Sequence, residues 1–177
     1  MTKFLRIVLI SFVLVGASLP ALGQNPAGGI PAAEITGLDA ELEKAGESAS
    51  AARKKLAIRR VIREAEALIK KHPTATNRYV ALGVLFRSQQ ALVSLDNSTA
   101  NRKAFLETSK KLAAAPNEYA ALRLDADLLL TQAESARKGA DSHARADALR
   151  PLVERYRDTD VEPKVIRIAM IMALELG

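Results

Sequence analysis

From residue 32 onward, apolar residues recur at spacings of three and four with polar residues between them, the pattern of amphipathic helices packed on one another. The first such segment runs from about Ala32 to Ser48, with Ile35, Leu38, Leu42 and Ala45 on one face and Glu34, Asp39, Glu41, Glu43 and Glu47 elsewhere. A second starts at Ser50 and places Ile58, Val61, Ile62, Ala65, Leu68 and Ile69 inward until His72-Pro73, where proline marks a stop. A third opens after Thr74 or Thr76. Its stretch from Tyr79 to Phe86 is apolar all round, which predicts burial between neighbours. The polar cluster Asp96 to Thr99 closes it.

The next segment, about Ala100 to Ala114, turns Phe105, Leu106, Leu112 and Ala113 inward and is broken at Pro116-Asn117. Another follows to about Lys138, with Leu122, Ala126, Leu129, Leu130 and Ala133 expected on its buried side and Gly139 where a left-handed terminating residue belongs. Asp141 offers an N-cap for a helix that buries Leu149, Leu152, Val153 and Tyr156, and Pro151 within it predicts a kink or restart. The last helix begins at Pro163, a residue suited to a first helical position.

These segments group into helical hairpins, with first members near residues 50, 99 and 141 and second members near 76, 117 and 162. The period is roughly 41 to 48 residues, in the range of stacked helical repeats. In each hairpin the second helix is the more apolar, so it is expected to form the inner layer. The predicted fold is all-α: antiparallel hairpins stacked as a short TPR-like array of about six to seven helices.

Before this array the pattern changes. Lys3 and Arg6 precede an apolar run from Ile7 to Ala17, and Pro20 leads into the small-residue sequence Ala21-Leu22-Gly23. That reads as a secretory signal peptide over residues 1–23, with an uncleaved membrane anchor as the alternative. The expected location is the periplasm or the extracellular space. Residues 24–31, with two Pro and two Gly, read as a flexible linker.

Composition sharpens the picture. The chain has 177 residues, 26% charged and 4% aromatic, a formal charge of +6 and no cysteine. An exported chain without cysteine is held together by helix packing, and it has no thiol for redox chemistry, a thiolate metal site or a lipid anchor. The positive charge is mild, and no aromatics are interleaved with the basic residues, which disfavours nucleic acid as a partner.

The joints Ile69-Lys70-Lys71-His72-Pro73-Thr74 and Glu154-Arg155-Tyr156-Arg157-Asp158-Thr159 resemble those of tetratricopeptide-like repeats. The leader, the Arg-rich helix after Ser50, Leu82-Gly83-Val84-Leu85-Phe86, Leu128-Leu129-Leu130 and the closing run from Arg167 to Gly177 resemble the helical region preceding a thioredoxin-like domain in some exported bacterial proteins. The resemblance implies a spacing or client-contact role, with the redox chemistry in a Cys-x-x-Cys domain beyond this segment.

Candidate chemistry is sparse, and no catalytic residue, cofactor site or metal-ligand set is read from the chain. His72 and His143 stand alone at helix ends, without a second His or Cys at i+3 or i+4. No serine lies in a nucleophile elbow and no Gly-rich loop cradles phosphate. Asp125 and Asp127, with Arg123, could line an inter-repeat groove in an enzyme or a solute-binding protein. Residues two apart point to different sides of a helix, however, so ion pairing with neighbouring cations is the simpler expectation.

Two surfaces stand out instead. Arg53, Lys54, Lys55, Arg59, Arg60 and Arg63 form a candidate interaction face. It would suit an acidic partner or an anionic membrane surface, or simply be a solvated face beside the acidic first helix. The last helix is apolar on nearly every side, and Ile166, Met170, Ile171 and Leu174 form a candidate uncovered hydrophobic face where a terminal repeat is normally polar. The expected function is protein contact or spacing, with a protein partner, a following domain or a second copy covering that face.

Overall fold

The computed structural model describes residues 29–174. The expected leader and residues 24–28 of the expected linker lie outside the described residues, as do residues 175–177.

Among the described residues the fold is all-helical, without a strand. The elements are α1 (Ala32–Glu47), α2 (Ala51–Lys71), α3 (Arg78–Leu95), α4 (Thr99–Ala113), a 3-10 turn (Asn117–Tyr119), α5 (Ala120–Arg137), α6 (Ser142–Asp147), α7 (Arg150–Arg155) and α8 (Glu162–Leu174). Local chemistry sets many of their ends. Ser50, Ser98 and Asp141 cap α2, α4 and α6 by accepting from the backbone N–H three residues on, a donor that the helix itself leaves free. Gly139 takes φ +65° after α5. Its N–H donates to the Ala136 carbonyl and that of Ala140 to the Ser135 carbonyl, a Schellman closure that favours glycine. The expected break near Pro151 is present: α6 ends at Asp147, and α7 restarts with Pro151 in its first turn.

Successive helices pack as neighbours, and α3 lies at the centre in contact with α1, α2, α4 and α5. Every residue from Val80 to Phe86 is buried, as the all-round apolar pattern predicts. Three cross-links define a layer of parallel helices. Arg87 of α3 pairs with Asp39 of α1 at a separation of 48 residues. The Asn77 side chain bonds Ile30, 47 residues away, and the Tyr119 hydroxyl donates to the Thr76 carbonyl, 43 away. Thus α1, α3 and α5 run side by side, with α2 and α4 connecting them on the outside. The α3–α5 approach is close: a Cβ at Gly83 would stand 3.0 Å from Leu122 Cδ2.

Two expectations are corrected. The expected linker stops short of residue 30, because Ile30 is fully buried beneath α1 and α3 and both of its backbone polar groups bond the Asn77 side chain, at 2.9 and 2.8 Å. In α5, Leu122, Leu129, Leu130 and Ala133 are half-buried, while Ala120, Arg123, Leu124, Ala126, Asp127, Leu128 and Ser135 are the buried residues. The helix is rotated from the expected face because it serves two apolar clusters. Ala126 belongs to the one built by α1 to α5, and Ala120, Leu124 and Leu128 to a second, shared with α7 and α8.

Candidate functional site

The residues that could carry function fall in three places: a buried polar junction, the outer face of α2 and the outer face of α8.

The polar junction ties α5 to α7. Arg123 and Asp127, one turn apart on α5, are each 5% exposed, and Tyr156, which follows α7, is fully buried. The Tyr156 hydroxyl donates to Asp127 Oδ2 at 2.7 Å and accepts from Arg123 Nε at 3.2 Å. Arg123 Nη1 also donates to the Ala115 carbonyl and to Asn117 Oδ1, while Arg155 pairs with Asp127 and donates to the Ala113 carbonyl. Burying a charge is costly unless it is paired and hydrogen-bonded. Asp127 has both, from Arg155 and Tyr156, whereas Arg123 is held by hydrogen bonds through Nε and Nη1 and leaves its buried Nη2 without a partner. Burial, followed by the bond to Asp127, pushes the Tyr156 pKa well above the ordinary tyrosine value.

Arg123, Asp125 and Asp127 therefore do not line a common groove. Arg123 and Asp127 lock into helix packing, and Asp125, half-exposed, pairs with Lys164 of α8 at 3.1 Å. His72 closes α2 through its backbone N–H, and His143 is exposed in α6. Among the described residues no three His, Cys, Asp or Glu side chains are grouped as metal ligands.

The six basic residues expected to form one face are divided by the helix. Positions 56, 60, 63, 67 and 70 alternate by four and three, so Leu56, Arg60, Arg63, Ala67 and Lys70 share the side opposite the buried Ile58, Val61, Ala65 and Leu68. All five are exposed, with Arg53 and Arg59 flanking them. Lys54 falls on the other side of the helix and is half-buried. Lys55 is drawn away to Asp96, which also pairs with Arg59 at 3.3 Å, and the Lys55 hydrogen bond holds the Asp96 carboxyl below its usual range. Arg60 bonds Glu64 at 2.7 Å and approaches Glu41 of α1 at 3.9 Å. Arg53 and Arg63 have no acidic side chain within 4 Å among the described residues. Thus Asp96, Glu64 and, at longer range, Glu41 of α1 neutralise part of this face and leave the rest cationic.

On α8, Val165 is buried against Leu152 and Tyr156, while Ile166, Met170 and Ile171 are 39%, 58% and 50% exposed. With Glu162, Pro163 and Arg167 they line an open concavity of about 570 Å3. The side chain of Leu174, the fourth member expected on this face, lies outside the described residues. Of the four residues expected on this face, Ile166, Met170 and Ile171 are exposed.

No helix among the described residues is long and apolar enough to cross a membrane. No family model matches the sequence, and no curated protein or solved structure matches it.

Proposed function

We propose that this chain is a non-catalytic helical-repeat module that works by protein contact, and that the outer face of α8 is its docking surface. The supporting observation is an asymmetry between the ends of the fold. At one end, α1 presents Thr36, Gly37, Ala40, Glu43 and Glu47 to water. At the other, α8 presents Ile166, Met170 and Ile171. A stacked array needs a polar outer face at each end to remain soluble, and a large apolar patch at one end marks a place where another element packs.

The partner that fits is an apolar helix adding one more member to the stack, supplied by a following domain or a second copy. Hairpin stacking with cross-links 43 to 48 residues apart supports the TPR-like reading. In the exported thioredoxin-like setting implied by the leader and the closing helix, the module would position a domain that carries the chemistry.

Light scattering after size-exclusion chromatography tests the reading on a chain beginning at Gln24. Association that disappears on replacing Met170→Asp and Ile171→Asp supports it. Association unchanged by those substitutions, or a wild-type monomer that binds no hydrophobic dye, overturns it.

A further inference from the structure

We infer that the outward face of α2 is a peripheral binding surface for an anionic lipid bilayer. Two independent features meet there. Arg59, Arg60, Arg63 and Lys70 lie along one side, flanked by Arg53; Arg59 pairs with Asp96 and Arg60 with Glu64 and Glu41, while Arg53, Arg63 and Lys70 have no acidic side chain within 4 Å among the described residues. Amid them stands Leu56, 68% exposed, the most exposed of the large apolar residues described. Arg53, Arg59, Arg60 and Arg63 lie three before and three, four and seven after Leu56, so they ring it on the helix surface.

The two features need each other. A cationic stripe alone is adequately explained as a solvated surface, and Lys70 and Lys71 also suit the negative end of the α2 dipole. A single exposed leucine is likewise unremarkable. Together they match the two parts of a lipid interface. Guanidinium groups meet phosphate oxygens through paired N–H donors, and a short apolar side chain enters the boundary between headgroups and acyl chains.

The shape of the surface favours lipid over an acidic peptide. Leu56 stands exposed on the outward side of α2, and the concavities along Glu162 to Ile171 and along Asp147 to Glu154 lie elsewhere. A bilayer is a broad, fluid counter-surface that the exposed side of a helix can meet along its length, guanidinium groups and Leu56 together. Burial of Ile58, Val61, Ala65 and Leu68 on the opposite side of α2 turns the stripe outward.

Vesicle flotation with the full chain tests the inference, with identical N-termini in every variant so that residues 1–28 contribute equally. Vesicles of phosphatidylcholine containing a minority of phosphatidylglycerol are compared with phosphatidylcholine alone. Each interfacial cation adds a modest electrostatic contribution, so replacing Arg59, Arg60 and Arg63 together with Glu should weaken partitioning at least about tenfold. Leu56→Ser should weaken it less. Replacing Lys103, Lys110 and Lys111 of α4 with Glu makes the same change in net charge elsewhere and should alter partitioning less than about threefold. Circular dichroism establishes that each variant is folded, and Arg59→Gln with Arg63→Gln, which removes two charges without reversing them, provides a mild second variant that should weaken partitioning about tenfold should the reversal unfold α2.

Equal loss with the α4 variant would reduce the effect to net charge and overturn the proposal, as would no preference for anionic vesicles. Binding of a polyglutamate peptide through Arg59 and Arg63 without vesicle binding would assign the face to acidic protein segments instead.

Discussion

Tyr156 and Asp127 meet at 2.7 Å across the junction of α5 and α7, the tyrosine hydroxyl donating to a carboxylate that is 5% exposed. Arg155 closes the other side of the carboxylate, and Arg123 donates to the tyrosine oxygen. The bond thus completes a polar joint between the apolar cluster of α1 to α5 and that of α7 and α8.

Replacing Tyr156→Phe removes that donor and leaves Asp127 Oδ2 and Arg123 Nε each one partner short. The expected cost is about 1–3 kcal/mol, since a buried polar group without its partner loses hydration with no return. Urea unfolding should show a lower midpoint at unchanged slope.

The same residue predicts an alkaline limit. Folding raises the Tyr156 pKa, so the folded chain holds the phenolic proton at pH values where the unfolded chain releases it. The associated stability is intact below about pH 10 and declines as pH rises beyond it. Tyr156 should ionise only together with unfolding, as a cooperative step in the ultraviolet titration of the three tyrosines. Tyr156→Phe should remove that step.

Ile30 provides a test at the other end. Asn77→Ala deletes both side-chain bonds to the Ile30 backbone and should cost about 1–3 kcal/mol. Ile30→Ala should cost about 2–5 kcal/mol, because the side chain is fully buried. The two effects should not add, as the residues hold the same strand of chain in place.

Much of the fold was legible in local pattern. Three-and-four spacing located the helices, and Pro151, Gly139 and Asp141 marked the breaks, because each acts on its own backbone. Ile30 was not legible, since one apolar residue between Gly29 and Pro31 has no period to reveal it. Nor was the junction: Asp127 and Arg123 reach Tyr156 across 29 and 33 residues, a distance at which sequence spacing carries no direction. The one local signal was their i, i+4 spacing within an apolar run, which places an acid and a base on the same buried face. On α2 the compositional cluster concealed a division by angle, with Lys54 and Lys55 leaving the face that Arg60 and Arg63 keep.

The approach of α3 to α5 at Gly83 leads to a further expectation. Gly83→Val should cost about 1–3 kcal/mol, as its side chain would drive Leu122 from a position already 3.0 Å from a Cβ. Adding Leu122→Ala should recover part of the loss, a coupling measurable by a double-mutant cycle on denaturant midpoints.

Hydrophobic-dye fluorescence of the folded chain tests most directly whether the outer face of α8 is the docking surface proposed for it. The wild type should enhance the dye well below its melting temperature. Met170→Asp with Ile171→Asp should abolish most of that enhancement at an unchanged melting temperature, because both side chains already face water. A folded, monomeric wild type that leaves the dye dark, or a double variant that enhances it equally, would contradict the account.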